Sequence, residues 1–113
     1  GRDSRMPILD LLKLSVSTKL RGYAYLREAV AETVRCPGQM VTKELYPAVG
    51  KLCNATSIQV ERSIRSAIAK AWAQRDETLW RRVFRTPPGS EPERPTNAVF
   101  ISRLTEALLL GEE

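Results

Sequence analysis

The sequence predicts an all-α domain of about six helices, with a helix-turn-helix at its centre formed by the third and fourth. Three observations predict it. Strand-type alternation is almost absent, while apolar residues recur at helical spacing along most of the chain. Prolines, glycines and capping residues cut that pattern into short helices. Residues 54–76 then read as a turn, a cap and one long amphipathic helix.

The elements follow in order. Residues 1–7 read as a linker or tag remnant, residues 8–110 as the domain and 111–113 as a tail. Met6 reads either as a natural start or as an internal methionine of a longer protein. Ile8, Leu9, Leu11, Leu12 and Leu14 suggest a short first helix ending near Ser15-Val16-Ser17. The second covers about Leu20 to Cys36, with Tyr23, Leu26, Val30 and Val34 on its apolar face and Ala29 beside it. Of Tyr23 and Tyr25, one is expected buried and the other exposed. Pro37-Gly38 ends this helix, because proline cannot continue it and glycine accepts positive φ. The third helix follows Thr42 as N-cap and is expected to bury Leu45, Ala48, Val49 and Leu52. Pro47 implies a late start or a bend there.

After Cys53-Asn54 comes a second cap. Thr56 with Gln59 three residues on matches a capping box, in which each side chain satisfies an N–H of the other's backbone. The fourth helix runs to about Gln74, with Val60, Ile64, Ala67, Ile68, Ala71 and Trp72 as one apolar stripe. A fifth helix covers Asp76 to Phe84, acidic at its start and basic at its end, as the helix dipole favours. Residues 85–95 hold four of the seven prolines and form a loop. The last helix starts at Thr96-Asn97 and is expected to bury Phe100, Ile101, Leu104, Ala107 and Leu108. Leu109 and Leu110 add a second apolar edge, expected either to pad the core or to meet a second copy on DNA.

Composition narrows the function. The 113 residues make one domain, and a 42% hydrophobic share with 27% charge suits a packed chain rather than a disordered one. The net charge of +5 favours a polyanionic partner. Residues 56–85 concentrate it, with seven Lys/Arg against three acids. There is no histidine, so the commonest general base and metal ligand is missing. No paired carboxylates, phosphate loop or metal cluster is found. No catalytic residue, metal or cofactor is expected, and the chain is not read as an enzyme. Cys36 and Cys53 read as two buried reduced thiols, with a disulfide the weaker alternative. No run approaches the roughly 20 apolar residues of a membrane span and no signal pattern opens the chain, so no membrane partner is expected and the cytoplasm is the expected compartment.

The fourth helix carries the sharpest functional signal. Gln59, Arg62 and Ser66 fall opposite the apolar stripe, flanked by Arg65 and Lys70. An arginine there can grip a guanine edge with two hydrogen bonds. The bland reading is a solvated cationic face. Glu61, at the edge of the stripe, either pairs with a neighbouring helix or accepts from a cytosine amino group. Trp72 and Trp80 read as packing residues.

Several blocks in this order resemble a known family: Arg21-Gly22-Tyr23-Ala24-Tyr25-Leu26-Arg27-Glu28-Ala29-Val30, Thr42-Lys43-Glu44-Leu45-Tyr46-Pro47, Val60-Glu61-Arg62-Ser63-Ile64-Arg65, Ala71-Trp72, and Pro95-Thr96-Asn97 with Phe100-Ile101. They resemble the C-terminal effector domain of the sporulation master response regulator, the zero-A type of endospore-forming Firmicutes. The resemblance spans about residues 8–110. It implies a six-helix fold and a DNA-binding transcription factor governed by an N-terminal phosphoacceptor receiver domain. Such a domain precedes this chain only if the chain is an excised part. The resemblance also implies base contacts from Glu61 and Arg62, and a base or phosphate contact from Arg65. Thr42, Lys43, Ser57, Gln59, Ser66 and Lys70 are expected at the DNA backbone or beside the bases. The implied partners are double-stranded DNA, an RNA polymerase sigma factor, and a second copy of the chain on adjacent DNA sites. Members of the family often carry arginine at the position of Gln59 and histidine at that of Ser66, so this chain has fewer cationic donors on the DNA-facing side. The competing class is a helical protein-interaction module that kept the fold and lost DNA reading.

Overall fold

The computed structural model describes residues 20–110, apart from the side chains of Leu108 and Leu110. The expected first helix lies outside the described residues. Those residues form five α-helices and one π-helical turn, with no strand among them. Helix α1 is Arg21–Arg35, the π turn is Val41–Leu45, and α2 is Tyr46–Cys53. Helix α3 is Ser57–Ala73, α4 is Glu77–Phe84 and α5 is Asn97–Leu110.

Helix α1 lies at the centre, packed against α2, α3 and α5. Two of its faces are therefore covered. That corrects the expectation for its tyrosines: Tyr23 and Tyr25 are both buried, at 8% and 7% exposure. Val34, near the outer end, is only half-buried. The crossing of α1 over α3 depends on Gly22. A Cβ there would stand 2.3 Å from the Ser63 carbonyl oxygen and 2.6 Å from Ala67 Cβ. Only a residue without a side chain allows the helices to approach this closely. Leu26, Ala29, Val60, Ile64, Ile68, Phe100, Ile101 and Leu104 fill the space between the helices.

The π turn corrects the expected third helix. Thr42 is not its N-cap. The cap position belongs to Met40, in extended conformation, and the Glu44 carboxylate accepts the Met40 N–H at 2.7 Å. The Met40 carbonyl accepts from both Glu44 N and Leu45 N, at 2.9 and 3.0 Å, and Val41 O accepts from Tyr46 N. This wide turn sits just before Pro47, which has no N–H to continue an α-helical ladder. The extra residue rotates the helix that follows. Its buried face becomes Leu45, Tyr46, Val49 and Gly50, and Leu52 turns outward at 58% exposure.

At the other end an aromatic cluster joins α3, α4 and α5. Trp80 is buried, with ring centroids 5.9 Å from Trp72, 5.0 Å from Phe84 and 5.7 Å from Phe100. Trp72 is half-buried rather than enclosed, with the Arg75 guanidinium lying over its ring. Cys36 is exposed, against the expectation of two buried thiols, since it caps the free end of α1. Cys53 is partly buried and free. Burial pushes its thiol above the ordinary range, the Glu28 carboxylate adds to this, and Arg27 opposes it.

Candidate nucleic-acid interface

Helices α2 and α3 are joined by three residues, Asn54, Ala55 and Thr56. They are the third and fourth helices expected from sequence, and each turn residue has a defined task. Asn54 adopts the left-handed conformation at φ 56° and ends α2, a position where asparagine is the best tolerated residue after glycine. The Ala55 N–H then donates to the Gly50 carbonyl at 2.8 Å. A Cβ on Gly50 would lie 2.4 Å from the Ala55 carbonyl oxygen, so the turn closes only over glycine. Thr56 opens α3 with the full capping box. Its hydroxyl oxygen accepts from Gln59 N at 3.0 Å, and Gln59 Oε1 accepts from Thr56 N at 2.8 Å.

Helix α3 is also held from the far side. The Asn97 side-chain amide, at the start of α5, donates to the Tyr46 hydroxyl at 3.0 Å and to the Glu61 carbonyl at 3.1 Å. One side chain thus fixes α2, α3 and α5 relative to each other. Sequence reasoning placed Asn97 only as a helix start. Its clamping role joins residues 36 and 51 positions apart, which no local pattern reveals.

The first half of α3 therefore sits rigidly with one face outward. Val60, Ile64, Ala67, Ile68 and Ala71 are buried, and Arg62, Arg65, Ser66 and Lys70 are exposed. Arg62 lies near the middle of the exposed face and has no hydrogen-bond or ion-pair partner among the described residues. Arg65 donates to the Glu61 carboxylate one turn back. The partner of Glu61 is thus on its own helix, not on a neighbouring one. The Arg65 side chain keeps 68% exposure, and that of Glu61 keeps 25%. Gln59 is exposed, but its carbonyl oxygen is committed to the cap and only its amide N–H groups remain to donate outward. Ser57 is half-buried in the first turn. Lys70 stands about 12 Å beyond Arg62 along the axis, at 1.5 Å per residue.

The π turn joins this face. Thr42 lines an open cleft of about 520 Å³ together with Glu61, Arg65, Arg94 and Thr96. Lys43 is exposed on the same turn. The first turn of α3 contains no acidic residue, so its partial positive charge is uncompensated. The free Arg62 guanidinium, exposed hydroxyls and a capped helix end together suit an extended anionic partner. Among the described residues no group of three or more His, Cys, Asp or Glu side chains is placed to hold a metal ion, and no helix is long and apolar enough to cross a membrane.

Leu109 lies away from this face, about 18 Å along α5 from Asn97. It is 63% exposed and borders an apolar groove with Val41, Ala98 and Ile101. The side chain of Leu110 lies outside the described residues.

The family model described as sporulation initiation factor Spo0A C terminal matches residues 8–108. The chain belongs to that family. It is a family of DNA-binding effector domains of sporulation regulation, not an enzyme family.

Proposed function

We propose that this Spo0A C-terminal-type domain is a sequence-specific transcription regulator that reads the DNA major groove with α3. One observation carries the reading most directly. Arg62 is exposed and unpaired among the described residues, on a helix whose opposite face is fully packed and whose entry is fixed by a capped three-residue turn. A base-reading arginine needs both a free fork and a rigid base. In this reading Glu61 and Arg62 contact bases, and Arg65 contacts a base or a phosphate. Releasing Arg65 from Glu61 on docking frees an acceptor for cytosine and a donor for guanine or phosphate at once. Thr42, Lys43, Ser57, Gln59, Ser66 and Lys70 meet the backbone or flank the bases.

The working unit is residues 8–110, with 1–7 a linker or tag remnant and 111–113 a tail. Its partners are duplex DNA, an RNA polymerase sigma factor, and a second copy of the chain on the neighbouring site through the edge that includes Leu109 and Leu110. Single helix-turn-helix units read few base pairs, so pairing on adjacent sites supplies specificity. Leu109→Lys is expected to reduce cooperative binding to a two-site duplex while leaving single-site affinity nearly unchanged. Equal cooperativity in variant and parent would remove this edge from the interface.

The decisive experiment is selection of bound sites from random duplex DNA, followed by titration of the selected site at several salt concentrations. A sequence preference with steep salt dependence is expected. Binding that is weak, unselective and indifferent to salt would favour the protein-interaction module instead.

A further inference from the structure

We infer that Ile58 is a specificity residue of the same face, reading the 5-methyl group of a thymine beside the base pair contacted by Arg62. The inference rests on the major-groove reading of α3 and adds to it an apolar contact that the polar side chains of that face do not supply. Ile58 is the second residue of α3 and is 64% exposed. It does not belong to the apolar stripe, whose first buried member is Val60. At about 100° per residue it lies about 40° from Arg62 and about 20° from Arg65. Ile58, Arg62 and Arg65 therefore form one outward line, spaced four and three residues apart.

Single exposed apolar residues are common and need no function. Met40, Leu52, Val99 and Leu109 are further examples here, but none of them shares the arginine line. The position itself also argues against an incidental side chain. A first helical turn is where an acidic residue is most favourable, yet an acid there would repel phosphate. A β-branched aliphatic group gives up the dipole benefit and has lower helix propensity than straight-chain residues. What it gains is a rigid apolar end about 6 Å up the axis from Arg62, at 1.5 Å per residue. That distance spans roughly two base-pair steps of 3.4 Å. In the major groove the thymine methyl is the apolar group available to such a side chain.

The test uses the selected duplex. Each thymine is replaced in turn by deoxyuridine, which removes only the methyl group. Binding is measured for the parent chain, Ile58→Ala and Ile58→Ser. One replacement, within about two base pairs of the position relaxed by Arg62→Ala, is expected to weaken the parent about fourfold, the worth of one buried methyl. The same replacement should leave Ile58→Ala and Ile58→Ser unchanged, and both variants should melt like the parent. A parent indifferent to every deoxyuridine overturns the inference, as does an Ile58→Ala chain that keeps the full penalty. If the parent selects a site that Arg62→Ala relaxes, the groove reading survives that outcome. If the parent selects no site, the groove reading and the role of Ile58 fail together.

Discussion

The first half of α3 and the segment that follows its end both carry arginines and use them differently. In the first half, residues 57–66, the helix is held by backbone-directed bonds: the Thr56–Gln59 box and the Asn97 amide on the Glu61 carbonyl. Its cations point outward, and among the described residues only Arg65 has an ion-pair partner, on the same helix. In the second half the helix ends in the aromatic cluster, and the cations that follow are tied into the structure. The Arg75 guanidinium carbon lies 3.7 Å from the Trp72 ring centroid. Arg75 also donates to the Trp72 carbonyl at 2.8 Å and pairs with Glu77 at 3.0 Å. Arg81 shares Glu77 and reaches the Ser90 carbonyl, and Arg85 pairs with Glu106 at 3.7 Å. A count of positive charge treats Arg62 and Arg75 alike. Among the described residues, their surroundings leave Arg62 free at the surface and tie Arg75 into the fold.

The largest expected effect lies in the aromatic end. Trp80→Ala should cost about 3–5 kcal/mol of folding stability, the range for large aromatic deletions in cores. Trp72→Ala, with its ring half-exposed, should cost clearly less. Urea denaturation of both variants measures this. Equal losses would mean that the two rings are equally enclosed in solution and that the Arg75 stack is not an open surface.

The next effect is the crossing of two arginines. Arg62→Ala should lose about 1–3 kcal/mol of binding to the selected site and relax one base pair, with folding stability changed by less than about 0.5 kcal/mol. Arg75→Ala should show the reverse, losing about 1–2 kcal/mol of stability from a partly exposed cation–π stack and its hydrogen bonds. Paired binding and denaturation measurements decide. If both substitutions act on binding alone, the division between a reading first half of α3 and a structural segment after its end is wrong.

Arg65→Ala sharpens the assignment within the reading half. As a phosphate contact, Arg65 should weaken all duplexes alike and lower the salt slope by about one. A change confined to one base pair would make it a base reader. Its pair with Glu61 is exposed and on one helix, so folding should change by only about 0.3–0.5 kcal/mol.

The smallest effect concerns Cys53. Its folded pKa is raised, chiefly by burial. At neutral pH both folded and unfolded states hold the thiol proton, and the group leaves stability unaffected by pH. As pH rises through the ordinary thiol value the unfolded chain deprotonates first, so stability falls on the alkaline side. Cys53→Ser should flatten that part of the stability profile. Iodoacetamide should also label exposed Cys36 before Cys53 in the folded chain. Simultaneous labelling would show that the end of α2 opens easily.

Much of this molecule was legible as sequence, because the signals were local. A capping box spans three residues, an amphipathic stripe repeats every turn, and Pro37-Gly38 and the proline-rich loop stop helices wherever they occur. Those features determined the helix-turn-helix, the outward position of Arg62 and the buried face of α3. The order and spacing of the blocks around them determined the family. Tertiary structure decided what depends on distant partners. The sequence left Pro47 as a late start or a bend, and the π turn before it resolved this, moving the cap from Thr42 to Met40 and turning Leu52 outward. Coverage of α1 on two faces buried both tyrosines. Gly22 became indispensable only where α3 crosses it, and Asn97 became a clamp only because its amide reaches residues 36 and 51 positions away. The physical reason is the same in each case. Helix formation is governed by neighbours within about four residues, whereas burial, close approach and ion pairing are set by whichever segments the fold brings alongside.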